Sequence, residues 1–553
     1  MFRIQDLFRI SDFGFRISKD WGYLLSMVRR LILLLGLLLL ALAVHGQARH
    51  FDFITMDDRL FILENPHLVH GFTRDSIRWA LGAKLLFDDP HLDYWQPVTA
   101  LSRLLDVELF GFHAGGHHWT NVVLHAANVL LLYMLLLRLT GQAGPSLFVA
   151  ALFAVHPLHA FSVAWVSARK DLLSLFFGLV AISAWCDIWK NEGKAGGGGR
   201  REEESLARQG PYPPPARRPP PYLRARRFSF GLALVAFSLS LMSKPLTLLL
   251  PAIMLLLLVW PLGLVADPFS WRAWRRPLLL SLPFWALSLA SAGITLLSQS
   301  LSPAAPEPAI VLGNIARTLA VYPLRALLPL ELACFHPYPR APLPAMQIAA
   351  AILFLALVTW LGLRLRRTHP CIAVGWGWYL AGIAPTLGVG QEANANRFTY
   401  LGLIGVFILV AWGWRGLAAA SDRLKRATPA IAAFILAAAA ILGHREVGYW
   451  RDTGTLFGRA LAVTGRNHVA AFHLGGILAE AGRFAEAEAR FQDVIRWNPD
   501  FAPAWHFKGA LAEEAGETEA AIGFYRRALE AAPRFRPSAR RLEEILGPGP
   551  VLY

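Results

Sequence analysis

Apolar runs separated by short polar stretches set the rhythm of the first 445 residues. Runs approaching the length that crosses a bilayer, about 17–25 residues, fall near 29–46, 119–139, 146–166, 171–189, 228–243, 245–262, 277–298, 346–363, 371–389, 400–418 and 429–444. They predict an all-α, polytopic domain of about 11 transmembrane helices over 27–444. The interval 48–118 is too polar to span and reads as a large first loop. Beyond 445 the long runs stop, and Ala, Glu, Arg and Phe recur with helical periodicity up to about 546.

That second region repeats itself. Leu474, Gly475, Ala487, Phe491 and Pro499 align with Lys508, Gly509, Ala521, Tyr525 and Pro533 at a spacing of 34 residues, the tetratricopeptide period. The small residues stand where two helices of a pair touch, the aromatic fills the space between repeats, and the proline ends the second helix. Trp450, Phe457 and Ala460 fit the second half of an earlier, incomplete repeat, and 536–546 fits a capping helix. The domain 445–546 is therefore expected to be a short helical solenoid, a passive stabiliser or a surface for a protein or peptide.

Composition agrees with a membrane class: of 553 residues, 55% are hydrophobic and only 17% charged. A formal charge of +16 raises the question of nucleic acid, and its distribution answers it. The intervals 190–227, 263–276, 364–370 and 419–428 carry 10, 3, 3 and 3 Lys and Arg, against 6 Asp and Glu among them. Basic residues in alternate loops set topology, with those loops cytoplasmic, so no nucleic-acid partner is implied. By the same count 48–118, the turns near 167–171, 243–245, 299–345 and 390–399, and everything after 445 lie outside. The Gly-, Pro- and Arg-rich stretch 194–227 within the cytoplasmic loop 190–227 reads as a disordered linker near anionic lipid headgroups. Residues 1–26 resemble neither a span nor a domain, whereas Met27 opens a basic-then-apolar segment. Met27 thus fits the true start of translation, followed by an anchor or a cleaved signal peptide. Cys186, Cys334 and Cys371 form neither a disulfide framework nor a metal knuckle.

Once sides are assigned, polar residues gather on the outer one. Asp57 and Asp58 head the first loop, which continues through Tyr94 and into GGHHWTNVVLH with His118, Asn121 and His125. FAVHPLH carries His156 and His159, followed by Arg169, Lys170 and Asp171; then come Lys244 after Ser243, and Arg397. Ionisable residues at membrane depth are costly and usually line a cavity or face a partner, so convergence on one side implies a shared site. His156 and His159 are poor metal ligands, since Pro157 breaks the helical spacing and no Glu or Cys stands near. Asp57 and Asp58 are hard oxygen ligands, and the sequence leaves a divalent cation there open.

The order of these elements resembles one family, the transmembrane and tetratricopeptide-repeat O-mannosyltransferases and their bacterial relatives in the GT-C glycosyltransferase superfamily. The resemblance covers roughly 50–535. It rests on the acidic pair, Tyr94 to Pro97, the His118/Asn121/His125 helix, FAVHPLH with Trp165, Arg169 and Asp171, Ser243-Lys244, Arg397 with Tyr400, and the repeats. It implies an integral protein of a bacterial inner membrane that moves a sugar, mannose or another hexose, from a polyisoprenyl-phosphate donor to an extracytoplasmic acceptor such as a protein Ser or Thr hydroxyl. Few repeats and the 194–227 insert depart from the family pattern.

On that reading Asp57 or Asp58 is the base that takes the acceptor's proton, the choice between them being open. Lys244, Arg169, Lys170 and Arg397 meet the leaving phosphate. Tyr94, His118, Asn121, His125, His156 and His159 supply hydrogen bonds. Two rivals belong to other classes: a non-catalytic membrane scaffold displaying repeats, and a transporter of lipid-linked sugar, which predicts polar residues near the bilayer midplane as well.

Overall fold

The structure, a computed structural model, describes residues 10–86, 91, 94–206, 221–265, 267, 270–298, 307–387 and 392–547. Regular structure among them is helical, apart from an isolated antiparallel bridge between Pro337 and Glu392. Eight described helices are long and apolar enough to cross a bilayer, and nine if the bent pair Ala143–Val155 and Pro157–Ala164 is one span. Each of the eleven apolar runs folds as helix, but two are short: Leu250–Val259 and Pro370–Ile383. The molecule is thus an all-α polytopic membrane protein.

Two intervals differ from the hydropathy reading. The helix Pro308–Leu327 fills part of 299–345, assigned above to an outer turn. The interval 190–227 is helical at both ends, within Arg169–Leu206 and from Pro221 onward, while 207–220 lies outside the described residues. A helix keeps its i to i−4 ladder until a proline interrupts it, and the first proline of this interval is Pro211. Of the N-terminal extension, residues 1–9 lie outside the described residues, and the rest joins the first span in one helix, Ile10–His45.

Burial separates the centre of the bundle from its rim. The apolar windows of Val166–Trp189, Asn396–Ala419 and Ala114–Thr140 are 72%, 61% and 56% buried, whereas those of Ala345–Leu365 and Asp422–Gly448 are 11% buried and face lipid. Close packing at the centre uses small residues. A Cβ on Gly375 would lie 2.6 Å from the Gly405 carbonyl oxygen, and one on Gly382 would lie 2.7 Å from the Gly402 Cα. Two backbones therefore touch directly, an interface that any larger side chain forces apart.

The repeats fold as paired helices, His468–Glu480 with Phe484–Trp497 and Ala502–Glu514 with Thr518–Ala531, followed by Arg536–Leu546. Gly475 meets the Phe491 ring and Gly509 the Tyr525 ring, at 2.7 and 2.6 Å from where a Cβ would stand. The half repeat Thr453–Thr464 buries Phe457 and Ala460. The repeats rest on the first loop. The Asp52 N–H donates to the Arg451 carbonyl at 2.9 Å, Thr55 meets His473 at 3.2 Å, and Arg59 pairs with Glu480 at 3.0 Å. Trp450 packs against Phe161, 4.7 Å between ring centroids, and so joins the solenoid to the broken span.

Candidate functional site

The site begins with a break in a helix. Pro157 cannot continue the helix that ends at Val155, and the chain bends by 51° before resuming. His156 and Trp165 are both extended. Backbone carbonyls freed at such breaks need donors, because no water is present at membrane depth. Polar side chains supply them. His159 donates to the Phe153 carbonyl at 2.8 Å, and His125 and His45 each donate to Ala154 at 3.2 Å. Asn121 donates to Val163 at 3.3 Å and Trp165 at 2.8 Å. His118 reaches the Asp52 carbonyl at 3.1 Å, and His156 reaches Ala326 at 3.0 Å. A carbonyl only accepts, so His125 Nε2 carries the proton and its Nδ1 accepts from the Tyr400 hydroxyl at 2.7 Å.

Of the expected supporting residues, Asn121, His125 and His159 hold the broken segment, while His118 meets the first loop and His156 the helix Pro308–Leu327. Arg169 is likewise engaged within the protein. It is fully buried, pairs with Asp106 at 2.5 Å, and donates to Asn121 Oδ1 at 2.9 Å and the His117 carbonyl at 2.7 Å. Its guanidinium is spent inside the protein.

Asp57 and Asp58 have different surroundings. Asp58 is fully buried and accepts from the Ile54 N–H at 3.1 Å, the Ser167 N–H at 2.9 Å and the Ser167 hydroxyl at 2.5 Å. It clamps the first loop onto the 166–168 turn. Burial pushes its carboxyl above the ordinary range against the pull of those donors. Asp57 is half-buried, and its charge acts on Arg397. With both Asp58 oxygens engaged, and no cluster of three His, Cys, Asp or Glu among the described residues, the pair does not fit a resident divalent cation.

The other basic residues gather with Asp171 and Glu392 in one ionic cluster, and Asp57 acts on its Arg397. Lys244 is held by Asp171 in a buried ion pair, and Arg397 pairs with Glu392 at 2.7 Å. Lys170 lies over the Tyr94 ring at 5.5 Å and the Phe61 ring at 5.8 Å. Both remaining cations contact the Phe398 ring, Lys244 Nζ at 5.3 Å and Arg397 Cζ at 4.9 Å from its centroid. The charges of Lys170 and Arg397 both act on Lys244, and that of Asp171 on Arg397, so four chain segments meet here. Burial lowers the Lys244 ammonium to about 8, Asp171 opposing the shift and the two cations adding to it.

Asp171 and Glu392 complete this cluster and were not among the expected site residues. Asp171 stands in the RKD triplet at a helix start, where an acid directly after two bases is a usable signal. Glu392 has no such local signal; it is matched to Arg397 only when the 392–397 segment folds back on itself.

Together these features define a polytopic membrane protein with a buried ionic cluster and a helical-repeat domain seated on its first loop. The tetratricopeptide repeat family model matches residues 478–544. In sequence the chain is similar to the protein O-mannosyl-transferase TMTC4 of Mus musculus, 33% identical over 126 residues, which is 20% of this chain and 17% of that protein. It is also similar to TMTC1 of the same organism, 31% identical over 143 residues, 25% of this chain and 15% of the relative. The protein O-mannosyl-transferase F38B6.6 of Caenorhabditis elegans is 29% identical over 181 residues, 31% of this chain and 25% of the relative. The matches thus span between 15% and 25% of the length of these relatives. The resemblance to the transmembrane and tetratricopeptide-repeat O-mannosyltransferases, expected from the motifs, is present in these comparisons.

Proposed function

We propose that the protein is a membrane glycosyltransferase of GT-C type that moves a sugar from a polyisoprenyl-phosphate donor to a hydroxyl of a protein acceptor on the extracytoplasmic side. Mannose is the sugar favoured by the names of the relatives. The observation that carries the reading is the gathering of Asp57, Lys170, Asp171, Lys244, Glu392 and Arg397 in one ionic cluster. A scaffold has no need of buried ionic groups, which cost stability.

In this mechanism Asp57 takes the proton of the acceptor hydroxyl as that oxygen bonds to the anomeric carbon. The bond from that carbon to the lipid phosphate breaks, and its electron pair leaves with the phosphate. Direct displacement inverts the anomeric carbon. Lys244 and Arg397 balance the charge on the departing group, Lys as a point charge and Arg with its fork of donors. Asp58 holds the loop that aims Asp57. The repeats, seated on that loop, present the acceptor.

The test is transfer of labelled sugar from polyisoprenyl phosphomannose to a Ser/Thr-rich peptide by purified protein in nanodiscs; absence of transfer with mannose, glucose and other hexose donors would sink the reading. Lys244 adds a pH signature. As pH rises through about 8 its ammonium loses its proton and with it the attraction for phosphate. kcat/KM for the donor is expected to fall on that alkaline side. Lys244→Arg, lower in activity but permanently charged, is expected to lose the fall, and a profile unchanged in the variant excludes Lys244 as its origin.

A further inference from the structure

A small polar cavity shares Phe398 and Glu392 with the ionic cluster. Asn314, Thr318, Tyr322, Glu392, Asn394 and Phe398 are among its lining residues. The segment 392–396 crosses it in extended form, held by the bridge to Pro337 and by the helix Pro308–Leu327. Thr318 donates to the Ala393 carbonyl at 3.1 Å and Tyr322 to the Ala395 carbonyl at 2.9 Å. The backbone there is tied down.

Three side chains in this wall each have one polar atom fixed and one left over. Asn314 Nδ2 donates to the Ala393 carbonyl at 2.8 Å, and its Oδ1 is buried without a partner. Asn394 Oδ1 accepts from Arg325 at 2.7 Å, and its Nδ2 is buried without a partner. Glu392 Oε1 pairs with Arg397, and its Oε2 is buried without a partner. The partners fix which end of each amide is which, because a carbonyl must receive N–H and a guanidinium must meet oxygen. Leaving a buried polar atom unpaired costs about 1–3 kcal/mol. Three in one cavity point to a ligand that completes them.

We infer that this cavity is the sugar-hydroxyl subsite of the donor site, an assignment that rests on the function proposed above. Two acceptors and one donor, all pre-oriented, suit a hydroxyl, which both gives and accepts a hydrogen bond. The cavity is narrow, with room for about one water. It therefore takes a single sugar hydroxyl in place of that water, while the ring of the hexose lies outside it. The Phe398 ring that lines the cavity also contacts Lys244 and Arg397, so a sugar seated here carries its anomeric phosphate toward those two cations. A bare phosphate, which only accepts, has no use for the leftover acceptors of Asn314 and Glu392.

Asn394→Asp tests this, because it keeps the oxygen facing Arg325 and turns the leftover donor into an acceptor. Binding of polyisoprenyl phosphate, with and without a mannosyl or glucosyl group, is measured on the full chain in detergent. Wild type is expected to bind one sugar-bearing lipid more tightly than the bare phosphate. The variant is expected to weaken the sugar-bearing lipid about ten- to a hundredfold and leave the bare phosphate unchanged. Equal loss for both ligands, or none for either, overturns the subsite while leaving the glycosyltransferase reading intact. Failure of wild type to bind any of the lipids overturns both. Monodeoxy analogues of the preferred sugar donor, tested on wild type, do not depend on the folding of a variant. At least one is expected to bind tenfold more weakly or worse, and equal binding by all of them also overturns the subsite.

Discussion

Asp57→Asn is expected to lower sugar transfer by about 10²–10⁴-fold, the usual contribution of a general base, with thermal stability in detergent unchanged. Asp57 is half-buried beside the cations, and an amide in its place keeps the shape but takes no proton. Asp58→Asn is expected to behave in the opposite way. Its carboxylate accepts from Ile54 and from both donors of Ser167, and an amide turns an N–H toward one of them. A loss of about 1–3 kcal/mol follows, read as an earlier melt, with activity falling only with the folded fraction. Activity retained in Asp57→Asn and abolished in a well-folded Asp58→Asn would reverse the assignment.

Arg169→Met is expected to destabilise the protein by about 3–5 kcal/mol, because it strands the Asp106 carboxylate in the protein interior. Asp106 and Arg169 are 1% and 0% exposed, and the Arg169 fork also holds Asn121 and the His117 carbonyl. Lysine cannot reproduce that fork, so Arg169→Lys is expected to lower the melting temperature too. The double replacement Arg169→Met with Asp106→Leu is expected to recover part of the loss, since neither charge of the pair is then left without the other. A phosphate ligand would behave differently. If Arg169→Lys melted like the wild type and showed only a weakened KM for the donor, Arg169 would belong to the cluster after all.

These two pairs show where sequence reasoning was sufficient and where it was not. The acids of FDFITMDDRL were legible as chemistry, yet adjacent residues look equivalent until a fold gives them different neighbours. Burial of Asp58 against Ser167 is a contact across 109 positions, and no local pattern announces it. The histidines were legible as unusual. Their contacts were not legible, because the demand that His125 and His159 meet, carbonyls freed at Pro157, arises only once the helix is broken and dry. The helix Pro308–Leu327 went unread since Arg317, Asn314 and Pro323 dilute its hydropathy. A signal was present: Asn314, Thr318, Tyr322 and Arg325 recur at helical spacing, and all four bond to 393–396.

The sequence by itself determined the elements whose cause is local or periodic. Apolar length made the spans, Pro157 broke one of them, and a 34-residue period with Gly, Ala, aromatic and Pro at fixed offsets made the repeats. Tertiary structure decided which charged groups face one another. Charges acquire partners through space, so Lys244 with Asp171, Arg397 with Glu392, and Arg169 with Asp106 were fixed only when the bundle closed. The same closure turned Arg169 and Asp58 into supports and left Asp57 beside Arg397, because a buried ion is stable only where the fold surrounds it with opposite charge and hydrogen bonds.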